Sequence, residues 1–519
     1  MEIVSPATEH KTTATDSLTV EKKAEEPLVI KKETDSPTLK IKKDTISEEI
    51  TTIETNLYTA SISSLGGGSI KNFYLNNYFK EDSSRVNLIR SGTNPNLLLS
   101  VKDLDGNSIN LSGPWEVESK KTRNTTSDIS EIVFKKEVLE SRFIYKTLTF
   151  YPDTYTISIS TDISSVRNFI FRDVSFGWYG GLNSTEKNTQ DDETYFKSYV
   201  FMGDELEELK SNKSENLVFN GPTDWVSLRT KYFTSAIIPK EPQKTRGSAL
   251  SSSLDSLEKY SGVFVFDVNN PVDFTVYLGP LEYDRIRSLG VGLDKTMDFG
   301  WAFIIPISKG VLYLLKKMHQ FIPNYGYVLI LFSFLVKILV YPLTKKSYQS
   351  TAAMQAVQPE INKLKEKHKS NPQKLNQATM ALYKEKGVNP LGGCLPMLLQ
   401  MPLLFALFIV FRTTIELRAE PFVFWITDLS APDFVFSLPF SIPIYGQHVA
   451  IMPILMVVSM FVQQSMMSGG TQQPQQKTLQ YFMTGFFFLM FNTFPSGLNL
   501  YYTLFNVLTI AQQKLAPNN

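Results

Sequence analysis

The chain has 519 residues and a formal net charge of +1; it is longer than the ~250–300 residues at which one hydrophobic core stops growing, so two or more domains are expected. A single cysteine, Cys394, excludes an internal disulfide framework and a multi-cysteine metal site. The histidines, His10, His319, His368 and His448, are too far apart in sequence to suggest a metal-binding pair, so no metal or other cofactor is expected.

Residues 1–54 are rich in Lys, Glu, Thr and Ser, with runs such as Glu21-Lys22-Lys23, and cannot bury enough apolar area to offset their ordering entropy. They read as a disordered, charged linker. From 55 to 290 the pattern alternates and is β-branched, as in Tyr155-Thr156-Ile157-Ser158-Ile159, with turn signals at Gly66-Gly67-Gly68 and Asp105-Gly106. Many short strands imply a water-soluble antiparallel sandwich, and over two hundred residues imply an extended version of it.

The composition then turns apolar. Residues 291–320 include an amphipathic stretch, 303–318, in which Phe303, Ile304, Val311 and Leu312 alternate with Lys309, Lys316 and Lys317; this suits a helix lying in a membrane interface. Against the ~20 apolar residues that cross a bilayer, five spans are expected at about 325–342, 394–411, 448–466, 479–494 and 497–513, within a membrane core of 321–513. Residues 514–519 form a short tail.

The loop 344–390 carries nine lysines against three glutamates, which places it in the cytoplasm by the positive-inside rule and the β-domain in the periplasm. An exported domain needs a membrane signal, and no apolar stretch of that kind occurs in the first fifty residues, so an upstream anchor is expected. Within the loop, Met354, Val357, Ile361 and Leu364 and then Leu375, Ala378 and Leu382 repeat at helical spacing on either side of Asn371-Pro372, a helix-start signal, and Gly387 ends the second helix. The result is a helical hairpin.

Several words in this region carry a resemblance: Tyr341-Pro342-Leu343-Thr344; Val388-Asn389-Pro390-Leu391-Gly392-Gly393-Cys394 leading to Gln400-Met401-Pro402; Trp425 followed by Asp428-Leu429-Ser430; and Phe494-Pro495-Ser496-Gly497 before Tyr501-Tyr502. In order and spacing they resemble the YidC family of membrane protein insertases, and the β-domain resembles that family's mutarotase-like supersandwich. The resemblance implies a hydrophilic groove that is open to cytoplasm and lipid and has a positive charge at its centre. That charge falls on Lys337, where the family pattern carries arginine; lysine keeps the charge and loses the planar fork. Ser333 and Tyr502 take the family's substrate-contacting positions, and Met401, Pro402 and Phe405 border a sliding substrate helix. The implied partners are nascent membrane proteins, the lipid bilayer, the Sec translocon and the ribosome through cytoplasmic loops, with no nucleic acid and a monomeric state.

Read without the family, Lys337 has two placements. It lies five residues, ~7.5 Å of helix rise, from Pro342, within reach of the headgroups by snorkelling; alternatively it faces a wet interior. Gln400 in the second span and Asn499, Tyr502 and Asn506 at three- and four-residue spacing in the last fit such an interior, or ordinary interhelical hydrogen bonding. The rival functions are a periplasmic carbohydrate-binding protein or a transporter. Residues 56–290 contain no histidine for mutarotase-type acid/base chemistry, so no enzyme is expected. Five unequal spans lack the matched halves common in transporters.

Overall fold

The computed structural model describes residues 46–92, 95–121, 128–139, 141–210, 214–253, 260–369, 371–388, 395–467 and 474–515. Antiparallel strands from Ile50 to Pro280 build three sheets. A nine-stranded sheet runs from the edge Glu205–Lys210, through the central Phe233–Pro239, Phe274–Pro280 and Thr156–Asp162, to the edge Glu116–Lys121. A six-stranded sheet faces it, centred on Tyr260–Asp267 and Asp173–Trp178, and a four-stranded sheet begins the domain. The rings of Phe176 and Phe274, one from each large sheet, stack 4.8 Å apart between them, and burial alternates along the strands as a half-wet sandwich requires. One boundary moves. Residues Ile50–Glu54, assigned above to the linker, form the first strand, with Ile53 buried, because they pair with Tyr58–Ser63.

On the strand Arg142–Phe150 the core-facing row is Ile144, Lys146, Leu148 and Phe150, so a lysine enters the core. Its Nζ donates to the carbonyls of Leu97 at 2.6 Å and Gly66 at 3.2 Å, and burial pulls its pKa down to about 7. The acceptor loop depends on glycine: Gly67 has φ +69°, and a Cβ there would lie 2.7 Å from the Trp115 ring.

Two short helices interrupt or close the β-domain, α1 (Thr189–Glu193) and α2 (Tyr283–Ser288). Seven further helices follow among the described residues: α3 (Ile305–His319), α4 (Tyr325–Lys367), α5 (Pro372–Glu385), α6 (Leu395–Thr413), α7 (Met452–Met467), α8 (Pro474–Phe491) and α9 (Ser496–Leu515). One stretch, Tyr325–Pro342 of α4, is long and apolar enough to cross a membrane; shorter apolar segments occur at Met401–Thr413, Met452–Met466 and Tyr481–Phe491.

Helix α3 buries Val311, Leu312 and Leu315 and leaves Tyr313 exposed. Asn324 caps α4, its side chain accepting from the Gly326 and Tyr327 amides, and the helix then runs through Pro342 and Pro359 for 43 residues. The expected end of the span at Pro342 is therefore the middle of a continuous helix whose second half packs on α5 through Val357, Ile361 and Leu382. Asn371 caps α5 by accepting from the Lys374 amide, and Gly387 takes φ +64° just past its end.

Two expected spans shift. His448 to Ala450, placed above at the start of the third span, belong to a strand, Gly446–Ala450, paired with Phe434–Ile442, and α7 starts at Met452. The stretch expected at 479–494 is helical from Pro474 to Phe491, and Asn492 leaves the helix to bind the strand pair. A run of apolar residues does not distinguish strand from helix, and here side chains of Asp433 and Asn492 decide it.

Candidate functional site: a polar stripe between two parallel helices

Helix α9 carries Asn499, Tyr502, Asn506 and Thr509 at three- and four-residue spacing, which places them on one face. That face meets α4. The helices run the same way, because Leu329 lies near Gly497 at one end and Lys337 meets Thr509 further along. Lys337 is 9 % exposed; its Nζ donates to Thr509 Oγ1 at 2.7 Å and stands 4.6 Å from the centre of the Phe505 ring. Of its two placements, the structure has the one directed into the helix interface.

Around it the polar groups are sparsely satisfied. Asn506 Nδ2 donates to Ser459 Oγ of α7 at 3.1 Å, and Ser333, fully buried one turn before Lys337, donates to the Leu329 carbonyl of its own helix. Asn499 Nδ2 reaches the Phe491 and Phe494 carbonyls at 3.3 and 3.4 Å, while its Oδ1 and the buried hydroxyls of Tyr501 and Tyr502 find no partner among the described residues. Met401, Pro402 and Phe405 are half-buried on α6, and the Phe405 ring lies 5.5 Å from that of the exposed Trp301. Gln400 lies in α6 with its side chain outside the described residues, as does the motif segment 389–394. Sequence reasoning passed over Thr509 and Ser459. For Thr509 the signal was present, since it continues the α9 spacing three residues beyond Asn506.

Two motifs separated by about seventy residues close one end of the stripe. Gly497 N donates to the Leu429 carbonyl at 3.0 Å, Ser496 Oγ to the Asp428 carbonyl at 2.8 Å, and Ser496 N to the Ala431 carbonyl. A Cβ at Gly497 would stand 3.0 Å from the Leu429 oxygen, so any larger residue would press on that carbonyl. Trp425 Nε1 donates to Asp433 Oδ2, which also accepts from the Met452 amide at the start of α7. Burial raises the pKa of Asp433 against these hydrogen bonds.

The β-domain is bolted to this same end. Arg412 Nη2 and Lys231 Nζ each reach Asp191 at 2.8 Å. Burial opposes ionisation of Asp191, yet the two cations together hold its carboxyl below the usual range. Arg418, 5 % exposed, pairs with Glu186 at 2.8 Å and donates to the Phe79 carbonyl.

Comparison with known proteins assigns both halves. Residues 50–308 match the YidC periplasmic domain and residues 317–519 match the 60Kd inner membrane protein family. The membrane protein insertase YidC of Chloroherpeton thalassium is 36 % identical, over 89 % of this chain and 81 % of the relative. This chain belongs to the YidC insertase family. The YidC insertase of Chlorobium phaeovibrioides is likewise 36 % identical, over 89 % of this chain and 82 % of its own length. A crystal structure of an active YidC insertase with its first transmembrane domain resolved aligns over 91 % of this chain and 94 % of its own, at 18 % identity and a TM-score of 0.40. YidC membership makes the β-domain periplasmic and the chain an inner-membrane protein. The YidC match also takes in the residues from Ile50 onward that composition had assigned to the linker.

Proposed function

We propose that the polar stripe of α9, with Lys337 of α4 and Ser459 of α7, lines a hydrophilic groove in which this insertase receives the polar end of a hydrophobic segment before releasing the segment into lipid. The observation that carries the reading is the orientation of Lys337. A lysine within a span costs ~2.5–3.5 kcal/mol on insertion scales and ordinarily extends toward headgroups, yet here it turns inward onto Thr509 and Phe505, beside Asn506 and Ser459. A polar face on which Asn499 Oδ1 and the Tyr502 hydroxyl have no partner among the described residues is suited to water and to a passing polar chain.

In this reading α4, α6, α7, α8 and α9 are the five spans, and the second half of α4 with α5 forms the cytoplasmic hairpin, in keeping with the lysine excess of 344–390. The Asp428–Asp433 and Pro495–Gly497 segments close the groove on the periplasmic side, while Met401, Pro402 and Phe405 border its lipid opening. The substrate's apolar span gains ~25 cal/mol per Å² on entering lipid, so the protein lowers a barrier without supplying energy. It works as a monomer on nascent membrane proteins, alone or beside the Sec translocon, and meets ribosomes through its cytoplasmic loops.

The test is water accessibility. In a Cys394→Ser background in liposomes, single cysteines at Tyr502, Asn506 and Thr509 are expected to react with a membrane-impermeant maleimide, and one at Leu339, 64 % exposed on another face of α4, to stay unreactive. Equal silence at all four positions would remove the groove.

A further inference from the structure

Between α6 and α7 the chain forms a two-stranded ribbon, Phe434–Ile442 paired with Gly446–Ala450. We infer that this ribbon is a lipid anchor, lying at headgroup depth in the periplasmic leaflet and fixing how deep α7 sits. The inference rests on the reading of α7 as a membrane span.

Two buried side chains hold the base of the ribbon. Asp433 Oδ2 accepts from Trp425 Nε1 at 2.7 Å and from the Ile451 and Met452 amides at 3.2 and 2.9 Å. Asn492, fully buried between α8 and α9, donates to the Tyr445 and His448 carbonyls at 2.9 and 2.6 Å and accepts from the Ala450 amide at 3.0 Å. The ribbon is thus fastened to the same end of the helices that the β-domain caps, and α7 continues from it after one residue.

Beyond that base large apolar side chains are exposed beside the uncharged polar Ser437, Ser441 and Gln447 and beside His448. Phe436, Phe440 and Ile444 are 57, 60 and 62 % exposed, and beside the base Phe424, stacked on Trp425, is 90 % exposed. Exposed apolar side chains occur again on α7, at Leu455, Val458 and Val462. From Phe434 to Gln476 there is no Lys, Arg, Asp or Glu. Large exposed apolar side chains without interspersed charge mark a buried contact surface, and aromatic side chains are enriched where a membrane meets water.

Continuity selects lipid as the occupant. The ribbon runs after one residue into α7, which the proposed function sets in the bilayer and which exposes apolar side chains of its own, and it offers no charge with which to orient a protein partner. Its backbone limits its depth. A two-stranded ribbon has two open edges whose N–H and C=O groups need water or headgroup partners, so it stops at the interface and does not enter the hydrocarbon. With the base clamped by Asp433 and Asn492, that stop sets the height of α7 and of Ser459 within it.

The test uses the full chain in phosphatidylethanolamine and phosphatidylglycerol liposomes, carrying an NBD fluorophore on a single cysteine, Phe440→Cys or Ile444→Cys, in the Cys394→Ser background, with Leu339→Cys as the span reference. Both ribbon labels are expected to be quenched at least twofold more by lipids spin-labelled at the headgroup or carbon 5 than at carbon 12, and to resist iodide; the Leu339 label should be quenched by lipid and resist iodide. Iodide quenching of both ribbon labels as strong as that of free dye, with the Leu339 label still lipid-quenched, overturns the anchor and leaves the spans intact. Shielding from iodide and lipid alike would mean a protein covers the ribbon, a second copy or another partner, and overturns the anchor too. Loss of lipid quenching at Leu339 as well would remove the span reading and this inference together.

Discussion

The β-domain and the helical core each bury a lysine, and the two solve the problem differently. Lys146 is enclosed in the sandwich, with two carbonyl acceptors and no acid; its burial pulls its pKa down to about 7. Lys337 lies between α4 and α9 with a hydroxyl acceptor and an aromatic face; further back along α9 the Tyr501 and Tyr502 hydroxyls and Asn499 Oδ1 have no partner among the described residues. A buried polar group tied to fixed backbone acceptors serves the fold. One set among polar groups with unpartnered atoms suits the path for a polar chain proposed above.

The largest effect that separates these roles is expected from charge reversal in the core. Opposite unit charges ~6 Å apart at an effective dielectric of ~20 attract by ~3 kcal/mol, about a hundredfold, so Lys337→Glu should be the most damaging variant for substrates with acidic tails. Lys337→Ala should be impaired to a lesser degree, and Lys337→Arg should function. Insertion assays at matched expression with acidic and neutral tails on one substrate read this out; equal insertion by Ala and wild type with both tails would end the electrostatic role.

Next in size is the joint between the regions. Arg418→Ala leaves Glu186 nearly buried without its cation and should destabilise the protein by ~3 kcal/mol, seen as a lower unfolding temperature by tryptophan fluorescence in detergent. A value below ~0.5 kcal/mol would make the joint ornamental.

Lys146 gives a pH signature. Its folded pKa lies below its unfolded value of about 10.4, so the unfolded chain binds the extra proton. The burial penalty is complete below about pH 7 and is relieved as pH rises through 7 toward 10. Stability of the β-domain should therefore increase by ~1 kcal/mol between pH 7 and 8, and Lys146→Met should flatten that slope. An unchanged slope in the variant would assign the effect elsewhere.

The smallest effect is expected at Arg412. Asp191 keeps Lys231 when Arg412→Ala removes the other partner, so the loss should stay within ~1 kcal/mol, and Arg412→Ala combined with Lys231→Ala should exceed the sum of the two single losses.

Local pattern made much of this legible. Strand alternation, the Asn371-Pro372 helix start, the Gly387 stop and the shift in composition after Trp301 all act over a few residues, and each has a counterpart in the structure. The Asn499, Tyr502 and Asn506 row could be read because helical spacing alone puts those residues on one face. The ribbon 434–450 could not. Its apolar run satisfies a strand or a span, and the choice is made by Asp433 and Asn492, the latter more than forty residues away from the strands it holds.

By itself, then, the sequence determined a β-rich half, an apolar helical half and the family to which they belong, because period, charge and motif order are properties of neighbouring residues. Tertiary structure alone decided that Lys337 turns onto Thr509, that the Asp428 and Ser496 motifs meet, and that Arg412 and Arg418 fasten the β-domain to α6 and the turn after it. Each of those outcomes is a contact between residues 68 to 232 positions apart, and helix periodicity contains no information about which distant partner a side chain will find.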